Sequence, residues 1–197
     1  MDTNQNTDFY IKKINDDNQK KYKVFFVNYD VQLSDEILQE MAKYEIVKFD
    51  DFNQCVGNLP IGIKSLTFGK KFNQQVDNLP SGLQSLTFGY RFNQKVNNLP
   101  LGLQSLTFGN KFNQQVDNLP SGVKSLTFGH DFNQPIDYLP AGLQSLTLGN
   151  EFDHPVDNLP SGLKSLTISK DYRKTLDNLP VSVEIIRYWK CLLKKLI

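Results

Sequence analysis

The chain has 197 residues, with 22 Lys plus Arg against 21 Asp plus Glu, and its net charge of +1 gives no whole-body attraction to nucleic acid or an anionic membrane. No apolar run is long enough to span a bilayer, and the opening MDTNQNTDFYIKK lacks the apolar stretch of a secretory signal. An intracellular, cytoplasmic protein without a membrane or nucleic-acid partner is expected.

The first 50 residues read as a small α/β capping region. Lys21-Tyr22-Lys23-Val24-Phe25-Phe26-Val27 has strand composition and can pair with residues 10–14 across Asp16-Asp17-Asn18-Gln19. Ser34 is placed to N-cap a helix over residues 35–44, with Ile37, Leu38 and Met41 on one face. Residues 46–49 then open a degenerate first coil.

From there to residue 180 a twenty-residue unit repeats without insertion or deletion, its clearest copy being LPSGLQSLTFGYRFNQKVNN from Leu79 to Asn98. Phe52, Phe72, Phe92, Phe112, Phe132, Phe152 and Tyr172 mark the phase, and the prolines from Pro60 to Pro180 mark it independently. A fixed period of this length is the sign of a solenoid, in which one unit cannot bury its own apolar face and stacking makes the core. In Ser85-Leu86-Thr87-Phe88 the apolar residues alternate with polar ones, the period of a half-buried strand. One such strand per coil predicts a parallel sheet with Leu and Phe inward and a Ser and Thr ladder outward.

After each strand comes Gly69, Gly89, Gly109, Gly129 or Gly149, where either a positive φ or a close approach of backbones would let the chain turn. The Phe of the following FNQ segment is expected in the core. The Asn behind it, at 53, 73, 93, 113 and 133, is expected to hydrogen-bond the turn backbone of its own coil and the next. Asp-Asn-Leu-Pro-Ser-Gly then forbids a regular helix, so the convex side should be extended or turn-like and the curvature modest. Asp77, Asp117, Asp137, Asp157 and Asp177 lack the clustered oxygens of a Ca²⁺ loop and are expected to cap turns. Cys55 and Cys191, separated by about six coils at ~4.8 Å each, are too distant for an intrachain disulfide and are expected as thiols. Residues 181–197 read as a C-terminal cap, with Val183, Ile186 and Tyr188 keeping the strand phase and residues 189–197 departing from it.

The units FNQKVNNLPLGLQSLTFG from Phe92 and FNQPIDYLPAGLQSLTLG from Phe132 resemble the FNIP repeat, a relative of the leucine-rich repeat, over residues 52–180. The resemblance implies a mainly β, leucine-rich-repeat-like solenoid, of a kind found in social amoebae and in large DNA viruses of amoebae, often behind an F-box. The L-x-x-L-x-F pattern is kept in Leu83, Leu86 and Phe88, whereas the usual turn Asn is Arg91 here and the Asn stands at 93. Residues 33–41 read either as a capping helix or as the opening helix of an F-box, whose remaining helices would need space that the repeats already occupy.

No catalytic, metal or cofactor constellation is legible. His130 and His154 fall at different repeat positions, and the many serines are one position copied, which suits a ladder and not a uniquely activated nucleophile. A non-enzymatic scaffold for a protein partner is expected, with a ubiquitin-ligase substrate receptor and a structural or self-assembling element as alternatives; oligomeric state stays open. Constant positions build the coil, so recognition should use the variable ones just after each strand: Lys70 and Lys71, Tyr90 and Arg91, Lys111, His130 and Asp131, Glu151, and Asp171. Their charges run from basic to acidic along the array. A second candidate surface is the strand face around Ser85, Thr87, Ser105 and Thr107.

Overall fold

Alternation within Ser-Leu-Thr-Phe sends every second side chain to one side of a strand, and stacking the repeat aligns those side chains into columns. The computed structural model, which describes residues 9–15, 21–28, 30–181 and 183–188, shows this arrangement. In chain order the elements are β1 (Phe9–Asn15), β2 (Lys21–Val27), α1 (Asp35–Met41), β3 (Ile46–Phe49), β4 (Ser65–Phe68), β5 (Ser85–Thr87), β6 (Ser105–Thr107), β7 (Ser125–Thr127), β8 (Ser145–Thr147), β9 (Ser165–Ser169) and β10 (Glu184–Tyr188). The strands form one sheet in sequence order, with β1 antiparallel to β2 and all later neighbours parallel. From β4 to β9 the register advances by one repeat per strand, as in Ser85 opposite Ser105 and Leu86 opposite Leu106.

The inward leucines and phenylalanines are fully buried, and the FNQ phenylalanines join them. Two aromatic columns result. Phe68, Phe88, Phe108 and Phe128 stack at 5.6 to 5.7 Å, and Phe72, Phe92, Phe112 and Phe132 at 6.0 to 6.1 Å. Within a coil the two columns touch, with Phe88 and Phe92 centroids 3.7 Å apart. Because strands repeat at ~4.8 Å, spacing grows from the sheet outward, so the coils fan and the strand face is the shorter, concave side. The convex side is turns, without a helix, among the described residues.

The glycine after the strand settles between its two alternatives. None of these glycines has a left-handed φ; a Cβ on Gly89 would overlap the carbonyl of Gly69, and one on Gly109 that of Gly89. Close backbone approach is therefore what requires glycine there.

The Asn ladder runs one way. Asn113 Oδ1 accepts from the Asn133 amide at 2.9 Å and from Gln134 Nε2 at 3.0 Å, and Asn93 does the same for Asn113 and Gln114. These contacts reach the next coil only, where the sequence also suggested the Asn's own coil. Asp30 starts the ladder by accepting from the Asn53 amide, and Asp153 ends it by donating its amide to Asn133. The Asp column is also a ladder between coils: Asp77, Asp137 and Asp157 accept from Asn98, Asn158 and Asn178 in place of capping their own turns.

At the N-terminal end β1 and β2 form the expected strand pair, although its connecting turn lies outside the described residues. Helix α1 is shorter than the sequence suggested, stopping at Met41 while residues 42 and 43 turn; Ser34 caps it through Ile37 N–H at 3.4 Å. Ile37 and Met41 are buried, and Leu38 is partly so. At the C-terminal end β10 enters one residue early. Glu184 stands opposite Ser165, so Ile185 takes the Leu166 position and Ile186 falls opposite the outward Thr167. A one-residue slip changes which residues face the core side: Ile186 is exposed where the sequence placed it in phase with the core, and Ile185, opposite the buried Leu166, is exposed as well. Tyr188 is buried and donates to the Leu148 carbonyl at 2.7 Å. Residues 189–197, including Cys191, lie outside the described residues; Cys55 is an exposed thiol.

Candidate functional site

The ridge that follows the strands is built by the backbone. The amides of Arg91, Lys111, Asp131 and Glu151 donate to the carbonyls of Lys70, Tyr90, Asn110 and His130 at 2.8 to 3.1 Å, so these four middle pairs are each tied to the coil before. Lys70, Lys71, Tyr90, Arg91, Lys111, Glu151 and Asp171 are exposed along this line, whereas His130 and Asp131 are half-buried.

Electrostatics along the ridge are more local than a gradient. Lys71 pairs with Asp51 at 3.0 Å, and at the point where basic turns to acidic Lys111 pairs with Asp131 at 2.7 Å. His130 Nδ1 lies 2.7 Å from the other oxygen of Asp131, and its Nε2 is 3.7 Å from Glu151. Partial burial opposes ionisation of Asp131, but the hydrogen bonds and charges of Lys111 and His130 outweigh it and hold the carboxyl below its ordinary range. The Lys111 ammonium, held above its ordinary range first by its bond to Asp131, also lies 5.9 Å from the Tyr90 ring centre. The basic-to-acidic order is therefore neutralised at its midpoint and at Lys71, with Arg91 in neither pair.

The second candidate surface lies beside this ridge. Ser85, Thr87, Ser105 and Thr107 are half-buried on β5 and β6, aligned Ser85 to Ser105 and Thr87 to Thr107 on the concave face. Among the described residues no three His, Cys, Asp or Glu side chains gather to hold a metal.

One surface feature escaped the repeat-by-repeat reading. The residue after each repeat proline runs Ile61, Ser81, Leu101, Ser121, Ala141, Ser161, Val181. Ile61, Leu101 and Val181 are 82%, 81% and 108% exposed, and Tyr138, three residues before Ala141, is 73% exposed. Ile61, Leu101, Ala141 and Val181 thus put an exposed apolar side chain on one turn in alternate coils, while Tyr138 stands on the turn before it, at residues 137–138. The alternation is visible in the sequence only when one column is read down the stack, because averaging the repeats hides it.

A parallel sheet with one short strand per coil, a convex side of turns and a leucine-lined core define a solenoid of leucine-rich-repeat type. The chain belongs to the FNIP repeat family: the FNIP Repeat profile matches residues 52–91, 75–111, 92–131, 112–151 and 132–171. Among solved structures it is similar to CroV588, from a giant virus, whose crystal structure is described as a novel circular LRR protein structure. The two share 34% identity with a TM-score of 0.64, over 81% of this chain and 30% of that one. The chain thus spans less than a third of that protein's length. Among curated proteins no match is found. No helix among the described residues is long and apolar enough to cross a membrane.

Proposed function

We propose that the chain is a non-enzymatic scaffold that recognises a protein along the ridge from Lys70 to Asp171, with the Ser and Thr strand face as the floor of the contact. The observation that carries this reading is the division of labour within the coil. Leu, Phe, Gly and Asn at constant positions are consumed by core, close approach and ladder, while the exposed variable residues stand on one line tied coil to coil. Extended concave repeat surfaces serve recognition in many solenoids, which supports the same reading by analogy of fold.

The test uses the purified chain and the Lys71→Glu, Arg91→Glu, Lys111→Glu triple variant as baits, with bound proteins quantified at two salt concentrations. Loss of a partner from the folded triple variant, together with a flatter salt dependence, supports the ridge. Unchanged capture moves the site to Ser85, Thr87, Ser105 and Thr107.

A ligase-receptor reading rests on α1 and its likeness to an F-box opening helix. Ile37 and Met41 of that helix are committed to the core, leaving Leu33 and Leu38, both partly buried, to meet an adaptor. Calorimetry with a purified ligase adaptor is expected to show no complex; micromolar binding abolished by Leu38→Asp would promote this reading.

A further inference from the structure

We propose that the line of Ile61, Leu101, Ala141 and Val181 is a docking edge for a basic amphipathic helix, distinct from the charged ridge at the opposite end of the strands. The line lies on the turn that leads into each strand, the ridge on the turn that leaves it. Exposed apolar side chains recur here at every second coil, with Ser81, Ser121 and Ser161 between them. Two coils span ~9.6 Å at the strand spacing and about 12 Å at the spacing of the outer Phe column. A helix rises ~10.5 Å in seven residues, which falls inside that range. Four anchors then need about 22 helical residues, and a seven-residue period drifts only ~20° per step, so all four stay on one helical face.

Charge chooses the polar flank of the partner. On the convex side of the line runs the exposed column Asp77, Asp117, Asp137, Asp157 and Asp177, interrupted by Asn97 and containing no cation. On the strand side stand Lys64, Lys124 and Lys164 among glutamines. A helix lying along the line therefore meets carboxylates on its convex flank, and lysines or arginines on that flank satisfy them. A second copy of this chain set edge to edge with its strand face on the same side would bring Asp column to Asp column, which disfavours that occupant.

The test is calorimetry of the full chain with a synthetic 24-residue helix carrying Leu at every seventh position and Lys on one flank. A peptide of identical composition with the leucines moved to every fifth position is the control. Low-micromolar binding of the first, at least tenfold tighter than the control, is the expected result. Ile61→Ser, Leu101→Ser and Val181→Ser combined should abolish it without unfolding, because serine already occupies this position in alternate coils. Asp117→Asn, Asp137→Asn and Asp157→Asn combined should weaken it severalfold and flatten its salt dependence. Equal binding of the control, or binding that survives the serine variant, overturns the proposal. So does light scattering that shows a dimer lost in the serine variant, which would assign the edge to a second copy. The ridge variant Lys71→Glu, Arg91→Glu, Lys111→Glu should bind the peptide normally, so failure of this edge and failure of the ridge are read separately.

Discussion

Phe112 is fully buried and meets Phe92, Phe108 and Phe132, one ring on each side along its column and one within the coil. Phe112→Ala should cost ~3–5 kcal/mol, as for a core aromatic. Asn113→Ala removes an acceptor used by both Asn133 N–H and Gln134, and should cost ~0.5–1.5 kcal/mol, since these exposed donors can turn to water. Urea unfolding of the two variants checks both; losses below about half a kcal/mol would mean these contacts are not made. Gly109→Ala should exceed the Asn variant, since the new methyl group has only backbone to displace, and a soluble variant within ~1 kcal/mol of wild type would refute the close approach. These residues differ in how far the sequence reveals them. The Phe and Leu columns are legible from periodicity because burial is set by alternation. The role of Gly89 or Gly109 is legible only as a choice, since two physical causes ask for the same residue. The direction of the Asn ladder depends on rotamer and coil offset, which no spacing encodes.

At the scale of the element, the two ends of the array show what repetition alone does not specify. Helix α1 closes early as its last amides go over to three-residue turn bonds, Lys43 N–H to the Glu40 carbonyl and Tyr44 N–H to that of Met41, with Ile37 and Met41 in the core cluster. Strand β10 departs from the repeat by one residue, and the slip reverses Ile186; spacing from Leu179-Pro180 could not show it, since a strand composition fits either register. The coil before β10 contains a titratable reporter. Burial, then the charges of Asp157 and Asp153, pushes the Tyr172 phenol up to about 12, and its hydroxyl donates to the His154 carbonyl at 2.9 Å. A phenol with a raised folded value contributes stability that is complete below its unfolded value of about 10 and is lost as pH rises through about 12. Tyr188, also raised by burial, adds to the same alkaline loss. Tyr172→Phe should therefore lose less stability than wild type between pH 9 and pH 11, the remaining loss coming from other groups that titrate in that range, Tyr188 among them. An equal slope in both proteins would place the Tyr172 hydroxyl in solvent.

Across the whole molecule the net charge of +1 conceals an ordered surface, and the order is coupled through Asp131. This carboxylate receives Lys111 from the previous coil and His130 from its own, at the boundary between the basic and acidic halves of the ridge. A carboxyl with a lowered folded value contributes stability present above its unfolded value, near 4, and lost as pH falls through the folded one. Because the pair is largely exposed, its effect on global stability is small, and the site is better read directly. Carboxyl resonances followed by NMR should show Asp131 titrating below the ordinary aspartate range, and Lys111→Ala should move its midpoint upward by removing the strongest opposing partner. If the midpoint stays fixed, the boundary pair does not form in solution and the ridge carries an open gradient instead of a neutral centre. That outcome would also change the partner problem: an open gradient steers from a distance and falls steeply with salt, whereas a ridge closed at its midpoint leaves Arg91 and Tyr90 to act at contact range.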